Sequence, residues 1–344
     1  MRKVWTVLAL SSSAAAYVLP AGIQPVPTAF WLLQAGSEDM SADVALCSKC
    51  CGSANAEELE ASVAALTATG RVAVECEPIT TPDDPQPLKT KTKTAPNPAF
   101  LAGATAEELT SFGPRTFLLP GGALARVNEF DFEDGGTGSR VWDAAIAMGI
   151  WLARNEELFC GKSVLELGSG TGFSGICAAL AGADVTLSDM AANAEATSST
   201  ALAGGSATAV STAALLPNLE ANARLNGLPE ALASGPLGAA RTLALDWEEC
   251  FGAEPAKTYD VVLGSDVVYE GFAVTALAAA VIANTAPGGV AYLMSASSRF
   301  ADASAALLVL LEAKGTVELE TLTIHNSFGN TELVLTTWTK EEVA

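Results

Sequence analysis

SVLELGSGTGFSGICAALAGADVTLSD, residues 163–189, contains two apolar strand candidates with a helical segment between them. The first strand, SVLELG, runs into GSGTG and sets Gly168, Gly170 and Gly172 at alternate positions where a strand must turn sharply into a helix. Glycine there permits positive φ and lets a ligand lie directly on the backbone. The second strand, DVTLSD, ends in an acid, Asp189, at the spacing from the glycines that suits a ribose hydroxyl. Gly170, Gly172 and Gly175 also spell the G-x-G-x-x-G fingerprint, so a nicotinamide cofactor would fit the same pattern. Glu166 favours another ligand: a carboxylate at the strand's end meets the cationic amino group of a methionine moiety and repels a pyrophosphate. No Tyr-x-x-x-Lys pair or other hydride-transfer constellation accompanies the glycines.

Working outward, apolar strands alternate with helical segments from Ser139 on. A helix is expected near Val141 to Leu158 and another from Phe173 to Ala181, then one near Leu215 to Leu225, strands RTLAL and YDVVLG, a helix from Phe272 to Asn284, a strand GVAYLMS and a helix near Ala301 to Lys314. VELETLTI and TELVLTTW, joined by the turn-rich NSFGN, should close the chain as an antiparallel hairpin at the sheet edge. The fold class is therefore α/β: a Rossmann-like, mostly parallel sheet with helices on both faces. Residues 191–213 are low in bulky apolar side chains and in charge, so they read as a flexible insertion between the second strand and its helix.

Upstream, residues 1–34 read as a targeting leader: Arg2 and Lys3 precede the apolar run Val4 to Leu10 and the small-residue stretch SSSAAA. AAAYVLP resembles the bipartite leaders of complex plastids; without such a leader the location would be cytoplasmic. The apolar run is too short to span a bilayer. Residues 35–98 form an N-terminal extension, with a helical stretch AEELEASVAALTATG, a strand-like RVAVECEPI and a Pro/Thr/Lys-rich linker over 81–98. Residues 99–344 are the catalytic domain with its preamble, in which Thr116 to Asp131 suits a strand or hairpin. Cys47, Cys50 and Cys51 cluster, but tetrahedral zinc needs four ligands and the only histidine, His325, is far away in sequence, so no metal is expected. His325 reads as packing or surface.

With 39 acidic and 18 basic residues the formal net charge is −21, a field that repels nucleic acid and anionic membranes and attracts a basic protein. YDVVLG delivers Ser265, Asp266 and Tyr269 to the carboxyl edge of the sheet, where open α/β folds bind ligands. Asp266 can accept a hydrogen bond from an amine, and Tyr269 can set an aromatic face beside positive charge. These groups suit methyl transfer from a sulfonium to a nitrogen, with Asp266 a positioner, because a nearby carboxylate raises an amine's pKa.

The stretches TGSRVWDAA, VLELGSGTGFSGICAALAGADVTLSD, LPNLEANARLNG, LDWEE and YDVVLGSDVVY, in this order from about Gly136 to Trp338, resemble the seven-stranded protein-lysine methyltransferases related to the valosin-containing-protein, calmodulin and elongation-factor lysine methyltransferases. That resemblance implies S-adenosyl-L-methionine as cofactor, a protein lysine as acceptor, a monomer, and a seven-stranded sheet with a C-terminal antiparallel hairpin. It implies that Glu166, Gly168, Gly170 and Gly172 hold the methionine part, Asp189 the ribose, Asp246 and Trp247 the adenine edge, and that Trp142 closes over the cofactor. Ser265 falls on the cofactor side, while Asp266 and Tyr269 match the family's substrate-side signature. The Ala/Ser/Thr-rich tract before LPNLEANARLNG and the long N-terminal portion depart from the family's compact pattern.

Overall fold

The computed structural model describes residues 25–35, 72–78, 114–130, 136–191, 214–230, 237–252, 254–269, 273–326 and 329–342, the first two stretches as backbone. The Cys47–Cys51 cluster, the linker over 81–98 and nearly all of the 191–213 insertion lie outside them. Among the described residues, eleven strands form one sheet: β1 (Pro25–Ala35), β2 (Val72–Pro78), β3 (Arg115–Leu118), β4 (Leu124–Val127), β5 (Ser163–Glu166), β6 (Asp184–Asp189), β7 (Ala239–Ala244), β8 (Tyr259–Ser265), β9 (Thr285–Ala296), β10 (Gly315–Asn326) and β11 (Gly329–Lys340). Their order is β4-β3-β2-β1-β10-β11-β9-β8-β5-β6-β7. β5 through β11 are the seven strands expected, with β5, β6, β7, β8 and β9 parallel and β11 inserted antiparallel between β9 and β10.

The hairpin of β10 and β11 exists, but not at the edge. β1 pairs antiparallel with β10, Trp31 opposite Asn326 through Ala35 opposite Leu322, and β2, β3 and β4 continue the sheet beyond it. A strand edge is a row of unpaired donors and acceptors, and these N-terminal strands satisfy it. The stretch expected to be strand-like near Arg71 is β2, and the Thr116–Asp131 hairpin is β3 and β4. β1, all but its last residue Ala35, falls in the residues read above as a leader.

Among the described residues, five helices cover the sheet: α1 (Asp143–Arg154), α2 (Phe173–Leu180), α3 (Leu215–Leu225), α4 (Ala273–Asn284) and α5 (Ala301–Glu312). Alternation along the strands sends Val164, Val261 and Leu263 to one core with α1, α2 and α3, and Leu165, Val262 and Leu293 to the other with α4 and α5. Trp338 of β11 is fully buried in the second core, its indole N–H donating to Leu311 O at 2.8 Å. Both faces are therefore sealed, which leaves the carboxyl ends of the parallel strands as the place where side chains and loops meet a ligand. Among the described residues, no helix is long and apolar enough to cross a membrane and no group of three metal-ligating side chains occurs. His325 sits on β10 opposite Asn330.

Candidate functional site

At the end of β5 the chain makes the expected turn, and the three glycines are needed for it. Gly168, Gly170 and Gly172 have φ of 58°, 54° and 80°, a region where other residues are strained. Space is short as well. A Cβ on Gly168 would fall 3.0 Å from Val267 Cγ1 and 3.2 Å from Trp247 Cζ2, and one on Gly170 would fall 2.9 Å from Gly138 O. The turn is thus the junction of three segments: the loop before α1, the loop after β7 and the loop after β8.

Glu166 lies beneath this turn, almost fully buried, and its Oε2 has no hydrogen-bond partner. Burial pushes its pKa to about 8, with hydrogen bonds from Ser169, Gly175 and Ser174 opposing the rise. At neutral pH the side chain therefore holds a proton until a positive charge arrives to stabilise the carboxylate. The orphaned oxygen and the glycine cradle fit a cationic amino group; for Glu166 the sequence expectation of a standing carboxylate is refined to an acid that ionises on demand. Gly175, third of the dinucleotide-like glycines, faces inward: its Cβ would fall 2.7 Å from Glu166 Oε2.

Asp189 caps the same turn from β6. Its Oδ2 accepts the Gly170 N–H at 2.7 Å and its Oδ1 the Met190 N–H at 2.8 Å, while burial raises its pKa. Asp246 accepts the Glu248 N–H at 2.9 Å and so starts the short 3-10 turn over residues 247–250, which presents Trp247 to Gly168. Ser265 Oγ lies 3.1 Å from Ser174 Oγ, tying the end of β8 to the first turn of α2.

Beyond the end of β8, Asp266 adopts a positive φ of 53°, its N–H donates to Met294 O at 2.8 Å, and its carboxylate points to Arg299, with Nη1 at 3.2 Å from Oδ2. Burial raises the Asp266 pKa, and the Arg299 charge opposes that rise. The guanidinium carbon of Arg299 lies 5.2 Å from the ring centre of Trp142, whose indole N–H donates to Thr137 O at 2.8 Å. Tyr269 stands beside them, its hydroxyl 3.4 Å from Thr137 Oγ1 and its ring centre 6.2 Å from that of Phe300, with a pKa raised by burial. The structure therefore joins Trp142, Asp266 and Tyr269 through three residues that sequence reasoning passed over: Thr137, Arg299 and Phe300. Thr137 sat within TGSRVWDAA and was in view; Arg299 and Phe300 lie in a loop with no pattern of their own.

A second unread feature supports the turn from behind. Asn218 and Asn222 on α3, and Asn226 just past its end, are spaced one helical turn apart and grip the backbone of β4 and of Asn128 after it. Asn222 Oδ1 accepts the Asn128 N–H at 2.8 Å, and Asn222 Nδ2 donates to Thr171 O at 2.9 Å, inside the glycine turn. Asn218 donates to Asn128 O, and Asn226 both accepts from Arg126 N and donates to Arg126 O. The three asparagines of LPNLEANARLNG are thus clamps rather than ligands.

Residues 126–216 match the family model described as lysine methyltransferase. The chain is 36% identical over 134 residues to mouse EEF1A lysine methyltransferase 3, covering 39% of this chain and 45% of that protein. It is 33% identical over 139 residues to zebrafish protein N-lysine methyltransferase METTL21A (40% and 51% of the two chains), and 33% identical over 172 residues to human protein-lysine N-methyltransferase EEF2KMT (48% and 46%). The chain spans about half the length of these curated relatives. Among solved structures, a SAM-dependent methyltransferase from Streptococcus mutans is 17% identical with a TM-score of 0.44, over 65% of this chain and 55% of that one. Through the stretch that carries its glycine turn, the chain is therefore similar to the lysine methyltransferases.

Proposed function

We propose that this chain is an S-adenosyl-L-methionine-dependent N-methyltransferase that acts on a lysine side chain of a protein. The observation that carries the reading is the buried Glu166 with its unpartnered Oε2 under a glycine turn held by Asp189. Glu166 and the backbone of Gly168, Gly170 and Gly172 would hold the methionine part, Asp189 the ribose, Asp246 and Trp247 the adenine edge, with Ser265 and Trp142 beside them. When bound, the cofactor supplies a methyl group on a positively charged sulfur.

The chain's own residues then have three tasks. Glu166 gives up its proton as the amino group arrives, so that a charge pair forms out of water, where it is strong. Asp266 and Tyr269 orient the acceptor nitrogen. A lysine with a free-solution pKa of about 10.4 must lose its proton first, and the desolvation that raises the Asp266 and Tyr269 pKa values favours the neutral amine too. Asp266, already raised and paired, acts as a positioner, and alignment of the reacting atoms supplies most of the acceleration.

Isothermal titration with S-adenosylhomocysteine tests the cofactor half: micromolar binding is expected, and a folded chain that does not bind it would remove the basis of the reading. Tritiated methyl donor in cell extract tests the acceptor; label confined to low-mass fractions would point instead to a small-molecule methyltransferase. Intact cellular function after Asp266→Ala would favour a non-catalytic cofactor-binding role. On this reading the chain acts as a monomer without nucleic acid, residues 35–98 are an appended segment, and a targeting leader lies within residues 1–34.

A further inference from the structure

Arg299 holds the position that a substrate's positive charge would need. A cation is welcomed by two things, a carboxylate and the face of an aromatic ring. Asp266 and Trp142 provide both, and both are directed at Arg299, at 3.2 Å from Oδ2 and 5.2 Å from the ring centre. The carboxylate is mostly buried while the Arg299 side chain is 45% exposed, so the guanidinium enters this seat from the solvent side.

The backbone fixes the arrangement from both ends. Among the described residues, Asp266 (φ 53°) and Phe300 (φ 51°) are the two non-glycine residues with positive φ. One is the seat's carboxylate and the other directly follows Arg299 and packs toward Tyr269. Unfavourable backbone geometry persists where the surroundings over-determine it, and it gathers at functional sites. The Asp266 N–H and carboxylate bind Met294 O and Ala296 N on β9, so β8, β9 and the loop into α5 all converge on this one contact.

Resting on the reading of the chain as a lysine methyltransferase, we propose that Arg299 is a specificity-determining residue: it occupies the acceptor's cation seat between Asp266 and Trp142 and yields only to a lysine carried on a protein. A free amine offers the seat one ammonium in exchange for one guanidinium and gains nothing. A lysine on a folded or extended protein brings further contacts outside the seat, and these tip the exchange. Arg299 acts through Asp266 and Trp142, and so is a positioning residue that sets who may enter.

The test uses the full chain with 15N-labelled tryptophan and Nα-acetyl-lysine methylamide as probe, following the Trp142 indole N–H resonance, assigned from its loss in Trp142→Phe. In Arg299→Met the probe should half-saturate at a concentration about tenfold lower than in wild type, since an exposed ion pair and a cation–π contact no longer compete. Arg299→Lys should restore the wild-type value, and Asp266→Asn added to Arg299→Met should abolish the gain. Arg299→Gln, also uncharged, serves if the methionine variant does not fold. Equal or weaker probe binding without the guanidinium, or a gain that survives Asp266→Asn, would overturn the proposal and reduce Arg299 to a brace for its loop. Titration of the same samples with S-adenosylhomocysteine separates the two readings: loss of cofactor binding with the probe gain intact defeats the methyltransferase reading alone, and normal cofactor binding without a probe gain defeats the seat alone.

Discussion

Replacing Glu166 by glutamine keeps the shape and most hydrogen bonds of the side chain while removing its titration, and this gives the reasoning about the buried acid a quantitative test. Its pKa is pushed up to about 8 in the folded protein from 4.5. Between those two values the native state keeps a proton that the unfolded chain has released. Stability therefore falls as pH rises through this window, by about 1.4 kcal/mol per pH unit, and is level below and above it. From about pH 5 to about pH 7 the wild type should lose roughly 2.5 kcal/mol that Glu166→Gln does not lose. Other groups titrate alike in both proteins and cancel in the difference. Urea unfolding followed by circular dichroism at several pH values measures that difference directly. The same substitution should weaken S-adenosylhomocysteine on the order of ten- to a hundredfold, the worth of a charged hydrogen bond. Wild type should also release about one proton on binding at neutral pH, seen as a dependence of the titration heat on buffer. Stability curves for the two proteins that run parallel from acid to neutral pH would refute the argument.

The remaining predictions concern the turn and its supports. Asn222→Ala removes three hydrogen bonds at a fully buried position and should lower stability by about 2–4 kcal/mol while weakening S-adenosylhomocysteine through the loosened Thr171; chemical denaturation and calorimetry read the two effects, and an unchanged affinity would show that the clamp serves folding alone. Gly170→Ala meets Gly138 O at 2.9 Å in a left-handed backbone and should cost at least about 1–2 kcal/mol, seen as a lower melting temperature; a melting temperature equal to wild type would contradict the packing described. Tyr269→Phe should leave cofactor affinity and folding within about 1 kcal/mol of wild type yet reduce methyl incorporation into extract proteins, and full incorporation would free Tyr269 of any role at the acceptor.

Much of the fold was legible because it is local. β5, the glycine turn, α2 and β6 follow one another without interruption, and their apolar periods and glycines carry the instruction within residues 163–189. α3 was readable from Leu215 to Leu225, its end marked by Asn226 and Gly227. What escaped depends on distance along the chain. Asn222 meets Asn128 94 residues away, and no spacing rule joins them. Arg299 sits between a strand and a helix in SASSRFADA, where an arginine has no period to obey. PVPTAFWLLQA looks like the tail of a leader because its apolar residues mean strand only once β10 is beside them, and strand pairing is set by such context more than by intrinsic preference. The places of Glu166 and Asp189 at the ends of β5 and β6 were legible from sequence, but the proton held by Glu166 was not, since burial is a property of the packed molecule.

The pairing of β1 with β10 also decides what a shortened chain would be. Cutting after Gln34 would take away nearly the whole of β1, expose the β10 backbone at Leu322–Asn326, and break the hydrogen-bonded continuity of the sheet between β10 and β2. A bare margin of that kind recruits other chains, so a recombinant form begun there should self-associate, whereas one begun at Gln24 should not. The useful boundary for expression is therefore drawn by a hydrogen-bond ladder rather than by a change in composition.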